Sequence, residues 1–437
     1  MLRSLVVENF LSFKSKQIFE MIANKDKFFP DNLIALDFNS NEKLVKSAVI
    51  YGANASGKSN LVKALRYGKS LVLNSVSGDK DAVAGASPYK LDSEKAIQAS
   101  ELEYEIFIDQ KLYKYGFVAD KKAVHEEWLY EFPKNRPKKI FHRSGKARNA
   151  NVFNHEIKIP QGYKELVKLV PDGSLLLGYM NRDKLESMGA QSALTDISKV
   201  YDWFKHDLVF WNERNSSSTV ELCHRNASFK EMLMKILGSF DLNIVDVITE
   251  ESEDSPKIQS AVKTFLTDMF EGEKKVQYLL RDQPFKNAIR HFFVHQMENS
   301  SELVHFHPLE ESRGTNRLFD LLGPLLLAIS NNATFVVDEL ETSIHPQILH
   351  ELIKFVHKQK SSAQLIFTTH YPGLLSSELM RRDQVWFTEK KENDTQLFSL
   401  KHFSDISRKD DIKKYERWYL NGRFGAIPFI DERQMNG

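Results

Sequence analysis

An α/β fold is predicted by three observations. A β-rich run, Lys46 to Tyr51, ends in a glycine-rich turn and passes into a helical pattern; two continuous apolar runs, TFVVDE and QLIFTTH, lie toward the other end of the chain; and a helical pattern separates those two runs. In the first unit Leu61 and Leu65 stand four apart, on one face of the helix after the turn. The two apolar runs are rich in β-branched and aromatic residues without polar alternation, as parallel strands buried on both faces are. Between them Ile348, Leu352 and Val356 mark one helical face.

The remaining sequence fits around this framework. Leu5 to Phe10 reads as another strand, and Leu102 to Phe117 alternates as a hairpin with Asp109 and Gln110 at its turn. A basic, polar stretch, Lys134 to Asn151, is expected to be an exposed loop. From about 160 to 300 the pattern is mainly helical, with an acidic run, TEESEDS, near Glu250. The economical organisation is one α/β domain in two halves, 1–120 and 300–437, separated by a mainly helical insertion, 121–300, that is a candidate dimerisation, sensor or partner-docking domain.

Composition sets limits. The chain has 437 residues, 42% hydrophobic, enough for a large core. With 60 basic and 59 acidic side chains its formal charge is +1, so no global attraction to nucleic acid or anionic membrane exists. One cysteine, Cys223, excludes an internal disulfide and a cysteine-rich metal site, which fits a reducing compartment. The opening MLRSLVVENFLSF has no signal-peptide organisation, and no apolar run is long enough to span a bilayer, so a cytoplasmic protein without membrane contact is expected.

The glycine-rich turn carries the strongest chemical signal. GANASGKS, Gly52 to Ser59, fits a phosphate-binding loop in spacing and in its strand–turn–helix context. Backbone N–H groups of Gly52, Asn54, Ala55, Ser56, Gly57 and the helix start through Asn60 can wrap an anion. Lys58 would neutralise β and γ phosphates and Ser59 would ligate Mg²⁺, so ATP with Mg²⁺ is the expected cofactor pair. Such a site also needs a carboxylate on a neighbouring strand end and a group for the attacking water. FVVDE offers both: Asp338 for the metal shell and Glu339 for the water. A rival, IFID ending at Asp109, runs into a hairpin and lacks the buried parallel context.

Roughly 280 residues separate the phosphate loop from FVVDE. Compact AAA+ modules place the second acid much nearer, whereas ABC and SMC-type heads tolerate such a gap. These heads also carry a histidine after the next strand, where His370 stands, to contact the γ-phosphate. A Ser-x-Gly turn opening a helix is expected too. ESRGTNRLFDLLGPLL supplies Ser312 and Gly314 ahead of Leu318, Leu321, Leu322 and Leu325, and in a dimer these would cap a nucleotide held by the other copy. In LETSIHP, Glu341, Ser343 and His345 occupy the loop through which two such sites communicate. Gln98 falls in the interval for a magnesium-contacting glutamine, without a motif to fix it. The prediction is an ABC/SMC-type P-loop NTPase head that hydrolyses ATP, with Glu339, His370 and Lys58 as its catalytic residues.

VENFLSF, IYGANASGKSNLVKAL, SRGTNRLFDLLGPLL, FVVDELETSIHP, VWFTEK and YLNGRFGAIP together resemble the RloA/AbiL-type bacterial ATPases, relatives of the OLD-family ATPases. The resemblance covers both halves of the head. One departure is that Tyr371 and Pro372 follow His370, where this family often has Asp. It implies a homo-oligomeric ATPase that senses invasion, with a phage protein or nucleic acid as trigger, and controls a separately encoded effector of the Toprim or RloB-like nuclease kind. A fused Toprim nuclease is disfavoured, because the stretch after His370 is short for its acidic framework. The competing reading is an SMC/Rad50-like ATPase acting directly on DNA. Sustained heptads would support it and are not seen, while the basic run Lys134, Arg136, Lys138, Lys139, Arg143, Lys146 and Arg148 keeps it open.

Overall fold

Three strands built wholly from buried residues, β5 (Ser47–Gly52), β14 (Thr334–Val337) and β15 (Gln364–Thr368), form the centre of the molecule's main parallel sheet. The computed structural model describes residues 1–36, 42–76, 82–133, 136–144, 167–181, 192–211, 216–251, 289–376, 378–403, 406 and 412–428. By contacts the chain divides into two compact units, Met1–Trp211 with Ala328–Gly437, and Asn212–Leu327.

In the first unit the sheet order is β10 (Leu208–Phe210), β14, β15, β5, β16 (Val385–Lys391) and β17 (Asp394–Ser399). All pairings are parallel except that of β16 with β17. Because β15 lies between β14 and β5, the carboxyl ends of all three emerge side by side, the edge where open α/β sheets bind ligands. The two apolar runs and the phosphate-loop strand are thus neighbours although they are far apart in sequence.

The other large sheet is antiparallel, in the order β2 (Gln17–Glu20), β1 (Leu2–Glu8), β6 (Ser100–Ile108), β7 (Lys111–Ala119), β8 (Val124–Glu131) and β9 (Lys138–Ser144). Asp109 and Gln110 both have positive φ, 48° and 66°, as the two-residue hairpin turn between β6 and β7 requires. The helix Lys58–Asn74 buries Leu61, Leu65 and Leu71 in a core that also takes Leu5, Tyr104, Tyr115 and Phe117 from this sheet and Ile50, Val336, Ile366 and Trp386 from the parallel one. A second link is polar. The buried Gln364 side chain accepts the Leu2 N–H at 2.6 Å and donates to the Leu2 carbonyl at 2.9 Å, satisfying the backbone at the start of β1.

Two expectations change here. The basic stretch expected to be a loop contains β9, which pairs with β8; Ile140 and Phe141 are buried, and Arg143 is ion-paired to the fully buried Glu127 at 2.8 Å. Charge at the strand's ends concealed an apolar centre. Lys134, Lys146 and Arg148 lie outside the described residues. The expected division at 121 and 300 also moves, since β8, β9 and β10 join the sheets of the first unit.

The second unit has helices over Ser216–Arg225 and Ala227–Gly238 and an antiparallel sheet of β11 (Ile244–Glu251), β12 (Ile289–Gln296) and β13 (Leu303–Phe306). Strands therefore share this stretch with the helices expected there. Most of the acidic run after Glu251 lies outside the described residues. The described residues contain no helix long and apolar enough to cross a membrane. In the first unit a parallel and an antiparallel sheet thus share one core around the helix that follows the glycine-rich loop.

Candidate functional site

At the carboxyl edge of the parallel sheet, β5 runs directly into the glycine-rich loop. A Cβ on Gly52 would come within 2.4 Å of Ser56 Oγ and 2.5 Å of the Thr388 carbonyl. Gly57 has φ +117°, and a Cβ there would lie 2.5 Å from Thr395 Oγ1, so only glycine fits at either place. Asn54 and Ala55 are exposed at the crest of the loop, Ser56, Gly57 and Lys58 are buried, and Ser59 and Asn60 are half-buried at the helix start. This is a backbone cradle open on one side. Lys58 Nζ donates to the carbonyls of Gly52 at 2.8 Å and Ala53 at 3.0 Å. Burial pushes its pKa below the usual lysine range, against the opposing pull of Asp338, Glu339 and Glu341.

The loop rests on residues that no motif named. Ser56 Oγ is 2.6 Å from Thr388 Oγ1 on β16, and Thr395 Oγ1 on β17 donates to the Ser56 carbonyl at 2.8 Å. Ser12, from the N-terminal VENFLSF, accepts from Asn60 Nδ2 at 2.7 Å, and its Oγ lies 2.8 Å from Thr395 Oγ1, to which its own hydroxyl can donate. Asp394 fixes the same N-terminal segment by accepting the Lys14 N–H at 2.7 Å. The terminal YLNGRFGAIP packs against the other side of β16. Tyr419 lies 5.6 Å, ring to ring, from Phe387 and from Tyr51, Phe424 lies 5.6 Å from Phe387, and the Tyr419 hydroxyl bonds the Gly52 backbone. The segment is a turn that buries Tyr419, Phe424 and Ala426 and through them supports the strand carrying the phosphate loop.

Asp338 and Glu339 form the corner where β14 ends. The Thr368 hydroxyl donates to Asp338 Oδ1 at 2.5 Å and accepts the Glu339 N–H at 2.7 Å, while the Thr368 carbonyl accepts the Leu340 N–H at 3.1 Å. Glu339 has φ +52°, an uncommon conformation for a residue with a side chain, and these three bonds hold it there. Its side chain is exposed; Asp338 is half-buried. His370, just past β15, has an exposed side chain, and its N–H donates to Glu341 Oε1 at 2.6 Å. Lys58, Asp338, Glu339, Glu341 and His370 are thus brought to one sheet edge. Thr368 was legible only as part of a strand, since a threonine ending an apolar run has no distinguishing signal.

The other residues singled out have different settings. His345 caps the helix Pro346–Lys358, its Nδ1 accepting the Gln347 N–H at 3.2 Å, and Ser343 is exposed with φ +60°. Gln98 is exposed, and its carbonyl accepts from Asn9 Nδ2 at 3.0 Å. In the second unit Ser312 precedes the helix Arg313–Ser330, and its Oγ accepts the Thr315 N–H at 3.0 Å, an N-cap. Ser312 and Arg313 are exposed and Gly314 is half-buried, leaving the turn's surface open to a partner.

A family described as "AAA domain, putative AbiEii toxin, Type IV TA system" matches residues 47–175 and 297–376, just under half of the chain and including both the phosphate loop and the Asp338–Glu339 corner. Over those residues the chain is similar to a domain of the AAA kind. No curated protein matches it. Solved structures similar to it include an SMC head domain from Thermotoga maritima, at 10% identity and TM-score 0.41, covering 91% of this chain and 98% of that one. An SmcHead bound to the C-winged helix domain of ScpA is similar at 10% identity and TM-score 0.41, covering 91% and 97%.

The residues at this sheet edge fit a magnesium nucleotide. Its cradle has no room for side chains at Gly52 and Gly57, and one oxygen of Asp338 is already committed to Thr368. Among the described residues no cluster of three or more His, Cys, Asp or Glu could hold a metal by protein ligands alone. Magnesium held through a hydroxyl, a carboxylate shell and the phosphates themselves needs no such cluster.

Proposed function

We propose that this chain binds ATP with Mg²⁺ and hydrolyses it, two copies sharing two nucleotides. The observation that carries the reading is the convergence at one sheet edge of a backbone phosphate cradle with Lys58, the Thr368-pinned Asp338–Glu339 corner and His370. The amides of Gly52 to Asn60 and Lys58 bind the phosphates. Ser59 and Asp338 would hold the metal, which would supply positive charge against the phosphates. Glu339 orients the attacking water and accepts its proton, and His370 contacts the γ-phosphate. Ser312 and Gly314 of a second copy, at the start of an eighteen-residue helix, face the same phosphate. Magnesium-dependent phosphate release by the purified protein, abolished in Lys58→Ala, is the expected result; equal release by both would end the ATPase reading.

The output is proposed to lie in another protein. The resemblance to RloA/AbiL-type ATPases, and the toxin–antitoxin wording of the matched family, support a cytoplasmic sensor that restrains or releases a separately encoded nuclease-type effector during phage attack. Opening and closing of two copies with nucleotide gives two states to which an effector can bind with different affinity. The direct DNA reading loses Arg143 from its basic run, since that charge is met within the protein by Glu127 at 2.8 Å. Phage challenge of cells carrying this protein with and without its neighbouring gene, wild type or Glu339→Gln, tests the role. Protection requiring both proteins is expected, and full protection by this chain alone would overturn it.

A further inference from the structure

One carboxylate joins the loop after β14 to the loop after β15. Glu341 Oε1 accepts the His370 N–H at 2.6 Å, although 29 residues separate the two in sequence. The turn that presents Glu341 is itself fixed, with the Thr342 N–H bonded to the Glu339 carbonyl at 3.2 Å and the Ile344 N–H to the Glu341 carbonyl at 2.9 Å. His370 lies past the last ladder residue of β15, which leaves its amide to a side-chain acceptor.

The second oxygen of the same carboxylate shows what the residue is there to do. Glu341 Oε2 is buried with no hydrogen-bond partner among the described residues, and so is the hydroxyl of Tyr51 at the end of β5. A buried carboxylate oxygen left unpaired disfavours the fold, so the residue is not placed for stability. Nor does its charge act first on Lys58, since Asp338 and Glu339 pull harder on that lysine. What Glu341 provides is reach, from a loop anchored at the Glu339 corner to the backbone of His370.

We propose that Glu341 is a positioning residue, a latch that sets His370 at a fixed distance from Glu339 so that the water-orienting group and the γ-phosphate contact move as one body. This rests on the ATPase reading above and assigns Glu341 a role within one copy rather than between two. Glu339 and Glu341 are two residues apart, on one turn, and Thr368 and His370 are two residues apart on the other. The Thr368 hydroxyl closes one end of this rectangle and the Glu341 carboxylate closes the other. If the latch opens, His370 is free to leave the position that it holds relative to the corner.

Reach and charge can be separated. Glu341→Gln keeps the length and an acceptor oxygen but removes the charge; Glu341→Asp keeps the charge and is one methylene shorter. Hydrogen exchange resolved at the His370 amide is expected to be slow in the wild type and the Gln variant and about tenfold or more faster in the Asp variant. With ATP as substrate, Asp should lose about tenfold in kcat with KM within about threefold, while Gln stays within about threefold in both. Glu341→Ala must match Asp in every readout, which keeps the test valid should Asp fold poorly. Exchange at His370 unchanged in Asp and Ala, or turnover lost in Gln and retained in Asp, would overturn the latch. Should the wild type lack ATPase activity, the exchange measurement still decides the latch while the ATPase reading falls alone.

Discussion

The Thr368 hydroxyl gives its one proton to the Asp338 carboxylate at 2.5 Å. With that proton committed, the oxygen's lone pairs face the Glu339 N–H, which they accept at 2.7 Å. Asp338 thereby accepts through one oxygen and keeps the other available, and Glu339 is kept at φ +52° with its side chain exposed. Thr368→Val removes the hydroxyl without changing the side-chain shape. Losing a hydrogen bond to a charged group, about 1.5–3 kcal/mol, should lower kcat on the order of tenfold to a hundredfold. Thr368→Ser should recover most of it. A Val variant with wild-type kcat would show that the corner keeps its geometry unaided.

Glu339 and Lys58 should separate binding from turnover. A group that orients water acts mainly in the transition state, whereas Lys58 also meets phosphates in the ground state. Glu339→Gln is expected to bind ATP near wild-type affinity and to turn over at least about a hundredfold more slowly. Lys58→Ala should fail at both, as read by a fluorescent ATP analogue and by phosphate release. Undiminished turnover in the Gln variant would remove Glu339 from the mechanism.

Much of this site was legible because its chemistry restricts residue type. A phosphate cradle requires glycine at positions 52 and 57, and parallel strands buried on both faces advertise themselves as unbroken apolar runs, which placed Asp338, Glu339 and His370 at strand ends. The supporting side chains were not legible. Thr368, Thr388, Thr395 and Ser12 carry no distinguishing neighbours in sequence, and they meet only because β15, β16, β17 and the N-terminal segment are folded against β5. The strand β9 was missed for a different reason: KKIFHRS opens on paired lysines, and local charge outweighed a short apolar centre. The terminal Gly-Arg-Phe-Gly turn was recognisable as a motif but not explicable until Phe424 was seen against Phe387.

Sharing of nucleotide between copies makes a prediction that needs no structure of the dimer. Lys58→Ala disables the phosphate loop, and Gly314→Asp places a negative charge on the turn proposed to face the phosphate of the other copy. Each variant alone should be inactive. In a heterodimer of the two, one site combines both lesions and the other combines neither, so up to about half of wild-type activity per dimer should return. Tagged copies purified in two steps give the heterodimer. No recovery in that verified species would place Ser312 and Gly314 outside the site.

His357 supplies a prediction about stability against pH. It sits on the helix Pro346–Lys358, fully within the first unit, with Nε2 2.7 Å from Ser47 Oγ and 3.4 Å from Gln384 Nε2, and with Nδ1 buried without a partner among the described residues. Burial first, and then the nearby Lys46 ammonium, push its pKa down from 6.5 to about 3. Above pH 6.5 the imidazole is neutral whether the chain is folded or not, and it contributes no pH dependence. As pH falls below 6.5 the unfolded chain takes up a proton that the fold excludes, so stability declines, and the decline ends only near pH 3. At pH 5 this amounts to roughly 2 kcal/mol. His357→Gln keeps a polar side chain at the site but cannot titrate. Between pH 7.5 and 5 the urea midpoint of the wild type should therefore fall further than that of the variant, whatever the other carboxylates and histidines do, because their contributions are common to both. Parallel curves over that range would mean that the folded protein takes up a proton at His357 as readily as the unfolded chain does.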